Sequence, residues 1–281
     1  MFPGAGTVYK LMYLVGFALM MVINLKTYKR YRLPKKITII ITLITYVAGV
    51  VGAMIMATIQ SAVIGTYGTG TQSKVAIFGA VVFTPLFMTI VSLILKQDWR
   101  RVIDMLAPGI FVILTCAKFG CFCSGCCHGI ICEFGIKNPH INEIVFPIQI
   151  VEVFFMCFII AFCFWYALKS KHYVRGAVYP ITTVLYCFLR FFVEFLRYYE
   201  TAEQRNVLFG MTFWQICCIL VTIVSIIWLI ILNTPKIKHL DALTLERETV
   251  EDAVALEKAK LEKAKHEKAK KRREKTRKKN R

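Results

Sequence analysis

Long apolar runs separated by short polar stretches organise this chain. Seven runs fall at roughly 7–25, 37–59, 75–95, 102–117, 148–168, 176–196 and 208–232. A helix needs about 20 apolar residues to cross the hydrocarbon of a bilayer. None of the runs alternates strictly between apolar and polar residues, so they predict helices rather than barrel strands. Lipid offers backbone groups no partner, which leaves no third option. The fourth run is short and is interrupted by Pro108-Gly109. An internal proline removes a helix hydrogen bond, so this is the weakest of the seven.

Composition agrees with the pattern. Of 281 residues, 57% are hydrophobic and 19% charged, and the mean hydropathy is +0.58. These values exclude an ordinary soluble enzyme, a disordered chain and a secreted disulfide scaffold. The prediction is an all-α, polytopic membrane protein with about seven transmembrane helices over 1–235. Residues 236–281 form a basic cytoplasmic tail, helical or partly disordered. Of the net charge of +19, the tail carries +8 and the remainder +11.

Alternate loops differ in basic residues. Lys26, Lys29, Arg30, Arg32, Lys35 and Lys36 fill the first, Lys96, Arg100 and Arg101 the third, and Lys169, Lys171 and Arg175 the fifth. The loops at 60–74 and 198–206 hold one basic residue each, Lys74 and Arg205. The positive-inside rule then sets the N-terminus outside and the C-terminus in the cytoplasm. The first run carries Lys10 near its start and meets a basic loop, which suits a retained span rather than a cleaved signal peptide. In the tail, Glu257, Glu262 and Glu267 each open a Glu-Lys-Ala-Lys repeat that favours an exposed helix near an anionic leaflet. No aromatic residues interleave the charges, so no nucleic-acid partner is expected.

Polar groups inside a span are costly, and three places carry them at the outer side. The sixth run holds Tyr186, Arg190, Glu194 and Arg197 at helical spacing, one polar stripe on an apolar helix. Two guanidiniums with one carboxylate suit an anionic head group; an interhelical salt bridge is the plainer reading. The second place follows the fourth run, from Ala117 to Gly129. It holds Lys118, the glycines Gly120 and Gly125, His128, and Cys121, Cys123, Cys126, Cys127 and Cys132 close by. Glycine lets backbone approach a ligand closely. The cysteines fit a zinc site, a Cys123-x-x-Cys126 redox pair, disulfides, or small packing residues. A zinc motif's separated second half is missing, and packing is the favoured reading. The third place is Phe146-Pro147-Ile148-Gln149-Ile150-Val151-Glu152. It puts Gln149 and Glu152 on one face near the surface, after a helix-starting proline.

Together these segments resemble the bacterial prolipoprotein diacylglyceryl transferase family. The family's Gly-Arg-Ile-Gly-Cys-Phe and Gly-Cys-Cys-Tyr-Gly variants resemble Ala117 to Phe122 and Gly125 to Gly129. Its Asp-x-x-Ala-Pro stretch resembles Asp104 to Pro108, and its His-Pro-x-Gln-x-Tyr-Glu motif resembles Phe146 to Glu152. Its Tyr-Gly-x-x-Arg-Phe-x-x-Glu-x-x-Arg motif matches Tyr186 to Arg197, and a later Thr-x-x-Gln is echoed by Thr212 to Gln215. The likeness runs from about 100 to 232 and is thin before that. Phe78-Gly79-Ala80 stands where the family has His-Gly-Gly, Lys118 replaces an arginine, and Phe146 and Val151 replace His and Tyr.

The resemblance implies a multi-pass enzyme of the bacterial cell membrane. It would transfer diacylglyceryl from phosphatidylglycerol to the lipobox cysteine in a prolipoprotein signal peptide, releasing glycerol 1-phosphate. Its partners are those substrates and membrane lipid, and it uses no cofactor and no metal. Arg190, Arg197 and Lys118 would meet the leaving phosphate. Glu194 would hold the arginines, and Gln149, Glu152 and Tyr186 would bind the head group. A thiol near pKa 8.5 needs only modest help; His128, His140 or Lys118 would give it. Other readings of the same residues are a relative that moves a lipid or glycerophosphate group to another acceptor, a membrane thiol–disulfide oxidoreductase, and a silent lipid-binding protein.

Overall fold

The structure is a computed structural model that describes residues 5–64, 76–138, 141–170, 173–199 and 207–235, with scattered positions as far as 262. His140 and most of the Glu-Lys-Ala-Lys repeat lie outside the described residues. Two compact units divide the chain, Met1–Ile230 and Ile231–Arg281.

Among the described residues seven helices begin within the first unit: α1 (Ala5–Thr27), α2 (Lys35–Val63), α3 (Phe78–Ile94), α4 (Trp99–Ser124), α5 (Ile148–Lys169), α6 (Val178–Val193) and α7 (Phe213–Leu232). A 3-10 turn, Glu194–Leu196, extends α6. Six segments are long and apolar enough to cross a membrane, α6 counted with its 3-10 turn as Val178–Leu196, and α3 is a shorter apolar helix of 17 residues. The chain is an all-α polytopic membrane protein.

The fourth run needs correction. It predicts the weakest span, yet α4 has 26 residues and is the most enclosed helix of the bundle. Pro108 does not end it, and the helix continues for about four turns beyond. Gly109 lets α1 lie against α4, since a Cβ there would sit 2.5 Å from Met20 Cγ. The polar stretch from Ala117 to Ser124 is therefore the last part of a helix and not a loop. The segment after α4 differs from expectation too. Strands β1 (Ile131–Lys137) and β2 (Ile144–Val145) pair antiparallel in a small hairpin.

Short buried polar contacts pin the basic side of the bundle. Asp104, fully buried in α4, accepts hydrogen bonds from the Gly176 and Val178 amides at 2.7 and 3.0 Å and from the Tyr173 hydroxyl at 2.8 Å. The Val178 amide opens α6, where helix N–H groups lack partners, and the Gly176 amide lies in the turn just before it. Asp98 caps α4 through the Arg100 amide and lies 3.3 Å from both Arg101 and Arg175. Pro85 lies inside α3, and the Val81 carbonyl one turn earlier accepts instead from the Tyr179 hydroxyl.

Helices α2 and α3 touch through glycine. A Cβ on Gly79 would lie 2.2 Å from the Gly52 carbonyl oxygen, whereas one on Gly49 would make only ordinary contacts at 3.6 Å. Close backbone approach of this kind drives helix association in lipid. Gly79→Ala is expected to cost about 1–3 kcal/mol as overpacking, read as a lower melting temperature in detergent. Gly49→Ala should leave that temperature unchanged or higher.

Candidate functional site

Up-and-down alternation sends the starts of α1, α3, α5 and α7 and the ends of α2, α4 and α6 to the side away from the basic loops. A cavity of about 430 Å³ opens there. Its wall takes Tyr9 from α1, Gln60 from α2, Phe78 from α3, Lys118 from α4, Arg190 from α6 and Trp214 from α7. Tyr186, Arg197, Tyr199 and three cysteines complete the polar and soft part of the lining.

Behind the wall lies an ionic network. Glu152, 1% exposed, accepts from Lys118 Nζ at 2.6 Å and from Arg190 Nη1 at 2.7 Å, one carboxylate oxygen to each. The other side of the Arg190 guanidinium lies 2.8 Å from Glu194 Oε2, and Arg197 is 3.9 Å from the same oxygen. Thr212 donates its hydroxyl to Glu194 Oε1 at 3.3 Å. Thr212 also opens α7 as a capping pair with Gln215: each side chain bonds the other's backbone amide, at 3.0 and 3.2 Å. Gln215 Nε2 reaches back to the Phe191 carbonyl at 3.4 Å. Four helices are thus tied at one depth. A buried charge needs such pairing, since an unpaired one costs several kcal/mol.

The structure brings Lys118, Arg190, Arg197 and Tyr186 to one cavity. Tyr186 packs between Phe78 and Phe111, with ring centroids 5.9 and 5.8 Å away. The other expected residues stand elsewhere. Glu152 and Glu194 lie behind the cations rather than on the cavity wall, and Gln149 and Glu152, in the first turns of α5, are buried within the bundle. Gln149 donates to the Cys126 carbonyl at 2.6 Å, so it braces the loop after α4. Gly120 faces α1, where a Cβ would meet Tyr9 and Met12 at 3.2–3.3 Å. Gly125 has φ +71° and ends α4 in the left-handed conformation that favours glycine. His128 turns Nδ1 to the Gly129 carbonyl at 3.0 Å and packs on Tyr198. It lines a smaller neighbouring pocket with Gln149, not the cation-lined cavity. Among the described residues, no histidine and no carboxylate lines that cavity.

Sequence reasoning missed Tyr9, Gln60, Trp214 and Tyr199 as wall residues. Gln60 near a span end was the available signal. The Tyr199 hydroxyl is buried with no hydrogen-bond partner among the described residues. The cysteine grouping also differs from expectation. Cys121, Cys126 and Cys127 cluster with their sulfurs within 4.8 Å of one another, and Cys123 is not a member. All eleven cysteines are free. The Cys121 and Cys126 thiols, with the Arg197 and Lys118 cations adding to them, hold the Cys127 thiol well below the ordinary thiol range.

Comparison with known proteins agrees with this architecture. Residues 5–231 match the family model described as prolipoprotein diacylglyceryl transferase. A relative named phosphatidylglycerol–prolipoprotein diacylglyceryl transferase 2, from Clostridium perfringens (strain 13 / Type A), is 27% identical over 172 residues, 56% of this chain and 65% of its own length. A phosphatidylglycerol–prolipoprotein diacylglyceryl transferase from Clostridium tetani (strain Massachusetts / E88) is 27% identical over 115 residues, 36% of this chain and 44% of its own length. The chain thus spans less than two thirds of each of these relatives. With the family match covering all seven described helices nearly to the end of α7, the chain belongs to the prolipoprotein diacylglyceryl transferase family of bacterial membrane enzymes.

Proposed function

We propose that this protein transfers the diacylglyceryl group of phosphatidylglycerol to the lipobox cysteine thiol of a prolipoprotein signal peptide. One observation carries the reading: Lys118, Arg190 and Arg197 line a single cavity whose wall is otherwise mainly apolar and aromatic. The positive-inside rule assigns this side to the outer leaflet. A phospholipid needs such a site: cations for the phosphate, apolar walls for the glyceryl and acyl parts.

In the proposed reaction the thiolate sulfur forms a bond to the terminal glyceryl carbon, and the bond from that carbon to the phosphate oxygen breaks. The phosphate keeps the bonding electrons and leaves as glycerol 1-phosphate; the thiol proton passes to water. Negative charge collects on the departing oxygen. Cations fixed beforehand around that oxygen lower the barrier without reorganising. Arg190 is fixed by two carboxylates, Lys118 by one. Among the described residues Arg197 has one carboxylate, at 3.9 Å, and is the cation best able to follow the leaving group. Glu152 and Glu194 act as positioning residues behind them, and the Tyr199 hydroxyl, without a partner among the described residues, offers the head group a donor.

Complementation of a strain depleted of its diacylglyceryl transferase, with mass measurement of a reporter lipoprotein, tests the reading. The wild-type chain should restore the lipid-modified mass. Arg190→Ala and Lys118→Met should each lower transfer by about 10²–10³-fold, the loss typical of one donor removed from a preorganised anion site. Good expression with no modified reporter would overturn the proposal. Glu152→Ala separates positioning from contact. It leaves Lys118 unpaired and should cost about 3–5 kcal/mol of stability. Lys118→Met/Glu152→Leu should recover most of the melting temperature while transfer stays lost.

A further inference from the structure

We propose that Cys121, Cys126 and Cys127 form a three-thiolate zinc site, and that its fourth position takes the substrate thiol. The second part rests on the function proposed above.

The sulfurs already lie within 4.8 Å of one another. Tetrahedral Zn–S bonds of about 2.3 Å require sulfurs about 3.8 Å apart, so closure takes small side-chain rotations. The fold builds the cluster deliberately. Cys121 lies in the last turns of α4, and Gly125, at φ +71°, turns the chain back over them. The Cys126 amide then bonds the Cys121 carbonyl at 3.2 Å. Cys127 follows with φ +56°, a conformation uncommon for a residue with a side chain. Gln149 fixes the same turn from α5 through the Cys126 carbonyl. A strained, braced turn of this kind sets the direction of a thiol.

The location gives the cluster its task. All three cysteines line the cavity that holds Lys118 and Arg197. An ion there would have protein ligands on one side and the cavity on the other, the open arrangement of a catalytic zinc. Thiol alkylation needs a thiolate, and among the described residues no histidine or carboxylate lines the cavity to take its proton. A thiol that coordinates zinc is deprotonated outright. Its proton leaves to water, the bound sulfur attacks the glyceryl carbon, and the electron pair departs with the phosphate. No electron changes hands with the metal.

The full-length protein in detergent, given one equivalent of Co²⁺ after chelation, tests the site. Wild type should show sulfur-to-cobalt charge transfer and tetrahedral ligand-field bands, both displaced by zinc. Cys121→Ser, Cys126→Ser and Cys127→Ser should each weaken zinc binding by at least ~10–100-fold, the loss that removing even a ligand's hydrogen-bond partner causes, while Cys123→Ser and Cys132→Ser keep it. The wild-type spectrum needs no variant, so misfolding of a serine mutant does not blur the result. If wild type gives no thiolate-to-cobalt band, the site is refuted. Diacylglyceryl transfer in the same preparations separates the two proposals. Full transfer by protein shown free of zinc overturns the metal's role and leaves the function standing. Zinc bound in the site without any transfer from phosphatidylglycerol upholds the site and overturns the function.

Discussion

The pairing of Glu152 with Lys118 and Arg190 governs the arrangement of this bundle. A lone carboxylate at that depth would be expelled or neutralised, as would either cation. Each is tolerable because the others are there. The contact joins α4, α5 and α6, which meet here across 34 and 38 residues of sequence. Glu194 and Thr212 carry the network to α7. The helices can therefore slide past one another only by breaking buried ion pairs, and the depth of the cavity is set by charge rather than by apolar packing, which in lipid discriminates poorly between registers.

Much of the fold was legible in the chain because lipid enforces a simple code. Runs of apolar residues marked the helices to within a few positions. The failure at the fourth run has a physical origin. Pro108-Gly109 reads as a break and Lys118 with the small polar residues near it reads as a loop, yet Gly109 is a contact with Met20 and Lys118 is neutralised by α5. Neither partner is visible from the local window.

The site was legible in part. Periodicity placed Tyr186, Arg190 and Glu194 on one face, because a helix fixes that geometry by itself. It could not show that Glu152 serves two cations, since nothing local links α4 to α5. Likewise, Cys123 and Cys126 form the familiar spacing, but Cys121 and Cys123 point to nearly opposite sides of a helix. Only the reversal at Gly125 decides which sulfurs meet. Gly120 and Gly125 read in the sequence as points of ligand approach, whereas in the fold they serve helix contact and helix termination.

Helix α3 has a consequence of its own. At 17 residues it is about 26 Å long, some 4 Å short of an average hydrocarbon slab. A span of that length is matched by a thinner bilayer beside it or by flanking residues that reach out to the interface. Phe78, at the head of this helix, is part of the cavity wall. The part of the cavity wall at Phe78 therefore stands at the end of a span with little apolar length to match a bilayer.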